Sequence, residues 1–212
     1  MLRVIECFSS LQGESTCAGR RCFFIRLEGC NLDCNYCDTR YARSGGVEKS
    51  IDELVSLALE SEVPLVEITG GEPLLYAETP ELCRRLLAEG VGVMIETNGS
   101  CDVSVLPPGV RRIIDCKLPD SGMAEKNLYS NFCNLTSLDE VKFVISSRRD
   151  FDFALKVISD HRLEESPAEL LASPVWGRVS FEELADWVIR AKSRLRMQLQ
   201  MHKIIWGDKP GV

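Results

Sequence analysis

Cys30, Cys34 and Cys37 stand in a C-x3-C-x2-C spacing within Gly29-Cys30-Asn31-Leu32-Asp33-Cys34-Asn35-Tyr36-Cys37-Asp38-Thr39. Thiolates this close can converge on one soft metal centre, because a short loop of Gly, Asn and Asp curls its side chains inward. Three ligands leave a tetrahedral iron or zinc one short. A structural zinc wants a fourth Cys or His at short range, and none follows Cys37; the histidines are His161 and His202. A 4Fe-4S cluster on three cysteines uses that vacancy, since one iron stays free for a non-protein ligand. Two plainer readings stay open: a zinc site completed from a distance, and three small buried side chains with no metal.

Further along the chain, Leu65-Val66-Glu67-Ile68 runs into Thr69-Gly70-Gly71-Glu72-Pro73. Gly71 allows a close backbone approach to a ligand, and the Glu72 carboxylate can accept from an ammonium, although Gly-Gly-Glu-Pro by itself is also an ordinary turn. The cysteine loop followed by this segment resembles the radical S-adenosylmethionine (SAM) superfamily. The resemblance implies an incomplete (β/α)6 barrel, a 4Fe-4S cluster on the three cysteines, and SAM held beside Tyr36, Cys37 and Asp38, with its amino group at Gly71 and Glu72. Glu96 and Asn98 would hold the ribose, and Asp115, Cys116, Lys117 and Ser173 would complete the site. Without the family, Asn98-Gly99 reads as a turn and Cys116 as packing.

Phe8-Ser9-Ser10-Leu11-Gln12-Gly13-Glu14, Arg26, Cys37-Asp38-Thr39, Lys117-Leu118-Pro119-Asp120-Ser121-Gly122-Met123 and Met201-His202-Lys203 together resemble the 7-carboxy-7-deazaguanine synthase family. That resemblance implies a carbon-nitrogen lyase acting on 6-carboxytetrahydropterin with loss of ammonia, with SAM as a catalytic cofactor. Leu11, Gln12, Gly13, Glu14, Arg26, Thr69 and His202 would contact the pterin. Arg26 suits its carboxylate because a guanidinium binds one bidentately. The resemblance also implies Mg2+ at Thr39, whose hydroxyl suits a hard cation, an electron donor of flavodoxin or ferredoxin type, and a homodimer. Read bare, Arg26 is a surface ion pair, Gln12-Gly13 a turn and His202 a core histidine. Two rivals remain at this stage: an activating enzyme that makes a glycyl radical on a partner protein, and a non-enzymatic zinc or electron-transfer module.

The chain has 212 residues, 45% of them hydrophobic and 27% charged, which suits a single globular domain over residues 1–212. A net charge of −7 provides no basic field for nucleic acid. No apolar run reaches membrane-spanning length, and Met1-Leu2-Arg3-Val4-Ile5-Glu6 lacks the uninterrupted apolar core of a signal peptide. A cytoplasmic location is expected, with the ten cysteines as thiols or ligands rather than disulfides. Cys7, Cys17, Cys22, Cys83, Cys101 and Cys133 have no cluster spacing and are expected to pack.

The elements that position these residues alternate. Strands are expected at 21–27, 65–68, 91–95, 111–114, 140–145, 169–172 and 196–201. Helices are expected at 51–60, capped by Ser50 and Glu53, from Thr79 with Pro80 at its first position to Gly90, at 150–159 and at 181–195. Such alternation argues for parallel βαβ units, and ligands then gather at the strands' C-terminal ends.

Overall fold

The computed structural model describes residues 1–207, Lys209 and Gly211; the chain end at 208, 210 and 212, whose relation to the substrate the sequence leaves unassigned, lies outside the described residues. The strands are β1 (Leu2–Leu11), β2 (Arg21–Leu27), β3 (Val47–Lys49), β4 (Leu65–Gly70), β5 (Gly92–Thr97), β6 (Arg111–Asp115), β7 (Glu140–Ile145), β8 (Glu169–Pro174) and β9 (Arg196–Met197). Among the described residues they form one sheet in the order β3-β1-β2-β4-β5-β6-β7-β8-β9. From β2 through β4, β5, β6, β7 and β8 every pairing is parallel. This is the incomplete (β/α)6 barrel expected from the sequence. The antiparallel β1 and β3 extend one edge, and the two-residue β9 lies at the other.

Side-chain alternation along each strand sorts the sequence into layers. Phe23, Ile25 and Leu27 of β2, Val66 and Ile68 of β4, and Val93 and Ile95 of β5 face outward, into a core shared with helices α1 (Ile51–Glu60) and α2 (Thr79–Ala88). Val141, Phe143 and Ile145 of β7 do the same against α3 (Arg148–Asp160) and α4 (Phe181–Arg190). The inward residues change character with height. Cys22, Phe24, Leu65, Met94 and Ile113 form an apolar plug, and one step towards the C-terminal ends come Arg26, Glu67, Thr69, Glu96, Asp115 and Lys142. A parallel barrel filled in layers thus has a dry base and a polar floor above it.

Local signals fix several of these elements. Ser50 Oγ accepts the Glu53 N–H at 3.1 Å while the Glu53 carboxylate accepts the Ser50 N–H at 2.6 Å, the reciprocal cap read in the sequence. Gly90, at φ +78°, ends α2 in a left-handed conformation that costs glycine little.

Four expectations need correction. The strand β1 and its pairing with β2 and β3 were not anticipated, because the charges of Arg3 and Glu6 interrupt its apolar pattern. Helix α4 stops at Arg190, with Ala191 extended, because Arg194 turns back to the carbonyls of Leu163 at 2.7 Å and Ser166 at 2.9 Å. The expected strand over 196–201 pairs only through Arg196–Met197; the chain then enters a six-residue helix, α5 (Met201–Trp206). Among the six cysteines expected to pack, Cys17, Cys22 and Cys83 are buried, Cys7 and Cys101 are half-buried, and Cys133 is exposed. All ten are free thiols.

Replacing Ser50 with Ala should remove one half of the reciprocal cap and destabilise the protein by about 1 kcal/mol. For a chain of this size a thermal melt should shift down by about 2–4 °C; an unchanged midpoint would mean that α1 is held by packing alone.

Candidate active site

The C-terminal ends of the parallel strands open into one cavity, and the segments at 11–14 and 200–203 help to wall it. The cysteine loop follows β2 directly and lies along one wall, with Cys30, Cys34, Tyr36, Cys37, Asp38 and Thr39 all lining the space. Gly71 packs so closely under the loop that a Cβ there would lie 1.9 Å from the Gly29 carbonyl oxygen. The Glu72 N–H donates to that same oxygen at 2.8 Å. The Gly-Gly-Glu segment therefore props the cysteine loop from below. Among the described residues no three Cys, His, Asp or Glu side chains converge tightly enough for a single ion. Cys30, Cys34 and Cys37 share one wall of the cavity.

Asn98, from the end of β5, reaches the loop: its Nδ2 donates to Asn31 Oδ1 at 3.0 Å and lies 3.6 Å from Cys30 Sγ. At the end of β6, Lys117 Nζ donates to Asp115 Oδ2 at 2.7 Å. Burial alone would lower the lysine, but Asp115 and the nearby Cys34 raise it above the ordinary range, so it stays charged. Asp115 Oδ1 and Ser173 Oγ are the two buried side-chain polar atoms without a hydrogen-bond partner among the described residues. Both belong to residues singled out from the sequence for a cofactor.

The floor is a charged cluster. Lys142 Nζ, buried in the middle of β7, donates to Glu14 Oε2 at 3.1 Å and to Glu96 Oε1. Gln200 Nε2 at 2.9 Å and Gln198 Nε2 at 3.3 Å complete the donors around Glu14. Burial would raise Glu14, but Lys142 and Gln200 outweigh it and hold the carboxyl below its usual range. Burial pushes Glu96 up, with Glu14 facing it, and Lys142 only partly offsets this. Two carboxylates around one ammonium recover part of the cost of taking a charge out of water.

Opposite the cysteine loop, Leu11, Gln12, Gly13 and Glu14 leave the end of β1 and line the cavity with Arg26 and Thr69. Arg26 Nε donates to Glu6 Oε1 at 2.7 Å, and its guanidinium lies near the Phe8 and Tyr41 rings at 5.9 and 5.7 Å. Helix α5 closes the space from above. The Met201 N–H donates to the Gly13 carbonyl at 2.9 Å, and His202 packs so tightly on Gly13 that a Cβ would meet Nδ1 at 2.3 Å. Lys203 Nζ reaches Asp38 Oδ2 at 2.8 Å. Although burial would raise it, Lys203 and Thr39 hold the Asp38 carboxyl down to about 2. Burial lowers His202 below the usual imidazole value, with Glu14 opposing, so the ring is neutral at neutral pH.

The cavity is lined by all but three of the residues expected for cofactor and substrate: Ser173, which is buried in register with the cavity-lining Val144, and two that need correction. Glu72 faces away from the cavity and is fully buried: its carboxylate accepts from the N–H groups of Leu74 at 2.9 Å and Asn98 at 2.7 Å and from Thr97 Oγ1 at 2.9 Å. Those donors turn the carboxylate into the protein, away from any ammonium bound in the cavity. The Cys116 thiol belongs to the core under α3, because its place one residue after Asp115 turns it to the outer side of the barrel.

Sequence reasoning missed Glu67, Lys142, Gln200, Lys203 and Trp176, which also line the cavity. A signal existed for two of them: a single charge in the middle of the apolar runs Leu65-Val66-Glu67-Ile68 and Val141-Lys142-Phe143 marks an inward-facing position that water does not cover.

A model of the radical SAM superfamily matches residues 24–117, the span from β2 to the end of β6. The 7-carboxy-7-deazaguanine synthase of Chlorobaculum tepidum is 40% identical over all of this chain and 97% of its own length. The chain belongs to the 7-carboxy-7-deazaguanine synthase family. A second relative in that family, from Methanospirillum hungatei, is 42% identical over 96% of the chain and 85% of its own length. The solved structure of QueE from Escherichia coli superposes with a TM-score of 0.77 at 23% identity, covering 95% of this chain and 94% of its own, and so shares the fold. Family membership brings a 4Fe-4S cluster and SAM as cofactors, which removes the zinc-module reading, and the synthase relatives themselves remove the glycyl-radical activase. Among the described residues no helix is long and apolar enough to cross a membrane.

Lys142→Met should strand Glu14 and Glu96 against each other and cost about 3 kcal/mol or more of unfolding free energy, read by denaturant titration at pH 7.5. The stranded carboxyls have folded pKa values above their unfolded ones, so the deficit is largest at high pH and should shrink as the pH falls and they take up protons. A deficit that does not change with pH would contradict the shared-ammonium arrangement.

Proposed function

We propose that this chain is a radical SAM lyase that converts 6-carboxy-5,6,7,8-tetrahydropterin to 7-carboxy-7-deazaguanine with loss of ammonia, a step in making 7-deazapurines of the queuosine type. The observation that carries the reading is that three free thiols, an unpartnered buried acceptor on Asp115 and a guanidinium on Arg26 all open on one cavity. That donor set fits a three-cysteine cluster, a zwitterionic cofactor and a carboxylate-bearing heterocycle.

In this reading Cys30, Cys34 and Cys37 hold the cluster. SAM lies along Tyr36, Asp38, Gly71, Glu96, Asn98, Asp115 and Lys117, with the unpartnered Ser173 Oγ beside Val144 on the next strand. When bound, the reduced cluster and SAM supply hydrogen-atom abstraction from the pterin carbon that bears the carboxylate. Arg26 exchanges its Glu6 partner for the substrate carboxylate, to which its planar fork is matched. Leu11, Gln12 and Gly13 present amide groups to the heterocycle's edge, with Glu14 and Thr69 beside them. His202, neutral and packed on Gly13, both donates and accepts a hydrogen bond without adding charge. The Thr39 hydroxyl, which donates to Asp38 at 3.0 Å, keeps oxygen lone pairs for Mg2+. Val144, Val175 and Trp176 make the cavity wall locally apolar, which keeps stray hydrogen donors from the reacting carbon. The fuller assignment includes a flavodoxin- or ferredoxin-type electron donor, a homodimer and a cytoplasmic location.

Anaerobic incubation of the reconstituted, reduced enzyme with SAM and 6-carboxytetrahydropterin should yield 7-carboxy-7-deazaguanine and ammonia, faster with Mg2+ than without. Cys34→Ala should abolish turnover while its far-ultraviolet circular dichroism stays that of the parent, because the loop lies at the edge of the core. An intact cluster with no deazaguanine product would remove the reading.

A further inference from the structure

The floor of the cavity holds three carboxyls and one ammonium. Lys142 takes Glu14 and Glu96; among the described residues Glu67, on β4, has no cation within ion-pairing distance. The Glu67 Oε2 accepts instead from Gln12 Nε2. The sense of that bond is fixed, because Gln12 Oε1 accepts the Glu14 N–H at 2.8 Å and so the amide nitrogen must face the carboxyl. The second amide proton points to Met94 Sδ at 3.6 Å. Burial and the two neighbouring carboxyls argue against a further negative charge there, and the two cations that would favour one are already engaged. Glu96 faces it from β5 and Glu14 from the segment after β1, the Cys22 thiol sits below on β2, Lys142 on β7 is already shared, and Arg26 on β2 is engaged by Glu6.

We propose that Glu67 serves as an uncharged positioning residue, a buried carboxylic acid that locks the Gln12 amide and, through it, the segment that receives the pterin's heterocyclic edge. Burial, reinforced by Glu96, pushes its carboxyl well above the usual range, in the direction the geometry requires. The arrangement has a consequence for binding: an ionised carboxyl would put a second uncompensated charge in a dry floor facing a substrate that is itself an anion. A neutral acid keeps the acceptor and avoids that repulsion. The proposal rests on the pterin-lyase reading for what Gln12 contacts, whereas the charge state of Glu67 stands on the floor geometry alone.

Glu67→Gln keeps the volume, the carbonyl acceptor and the neutrality; Glu67→Ala removes the acceptor. The variants are compared in the reconstituted full chain for kcat and for KM towards the pterin and SAM separately, alongside infrared spectra of the protein at pH 7. Glu67→Gln should stay within about threefold of the parent in all three constants, and Glu67→Ala should raise the pterin KM about tenfold or more while the SAM KM holds, as expected for one lost buried hydrogen bond. The parent should show a protonated-carboxyl stretch that Glu67→Gln lacks. Glu67→Gln as impaired as Glu67→Ala, or identical carboxyl bands in parent and Glu67→Gln, would overturn the proposal. A parent enzyme that makes no deazaguanine would instead remove the lyase reading, and the infrared comparison would still decide whether Glu67 is neutral.

Discussion

One buried ammonium holds the floor of this barrel together. Lys142 stands in the middle of a strand between Val141 and Phe143, both core, and it is tolerated there only because Glu14 and Glu96 share it. Glu14 belongs to the segment after the first strand, Glu96 to the middle of the sheet, and Gln198 and Gln200, which also donate to Glu14, to the last part of the chain. The same contact set therefore fixes the segment after β1 and residues 198–200 against the barrel. Helix α5, too short to be stable alone, is held by what it meets: the Gly13 carbonyl, the Asp38 carboxylate and the packing of His202.

The layers of the barrel divide the work. At the base, Cys22, Leu65, Met94 and Ile113 exclude water, which strengthens every interaction in the charged layer above. Over that layer the cysteine loop lies at the rim, where Asp33 and Asn35 around it are exposed and Cys34 itself is buried. A cofactor held on such a loop meets a dry, preorganised cavity on one side and solvent on the other. That suits chemistry in which an electron enters from outside and the reacting carbon must be kept from other hydrogen donors.

Much of this was legible in the sequence, for local reasons. The cap at Ser50–Glu53, the strands ending in Thr69-Gly70-Gly71 and Glu96-Thr97-Asn98, and the cysteine loop all declare themselves within a few residues. What stayed hidden depends on distant partners. The strand β1 alternates charged and apolar residues because one face is solvated, and its ten-residue length shows only once β2 is beside it. Helix α5 has no cap and six residues, so nothing local marks it. Glu72 looked like a ligand group because its motif ends at a strand terminus; only the structure shows its carboxylate turned inward to Thr97 and Asn98. Glu67 and Lys142 sit inside apolar runs, and only the layering of the barrel shows that an inward charge at those positions makes a polar floor.

The most direct test of the account is a crystal structure of the anaerobically reconstituted protein with SAM and 6-carboxytetrahydropterin. The account predicts a cluster on Cys30, Cys34 and Cys37, the nucleoside beside Glu96 and Asn98, and the pterin carboxylate on Arg26 with Gln12 still bonded to Glu67. A pterin bound with its carboxylate away from Arg26, or a nucleoside lying along Leu11–Gly13, would contradict it.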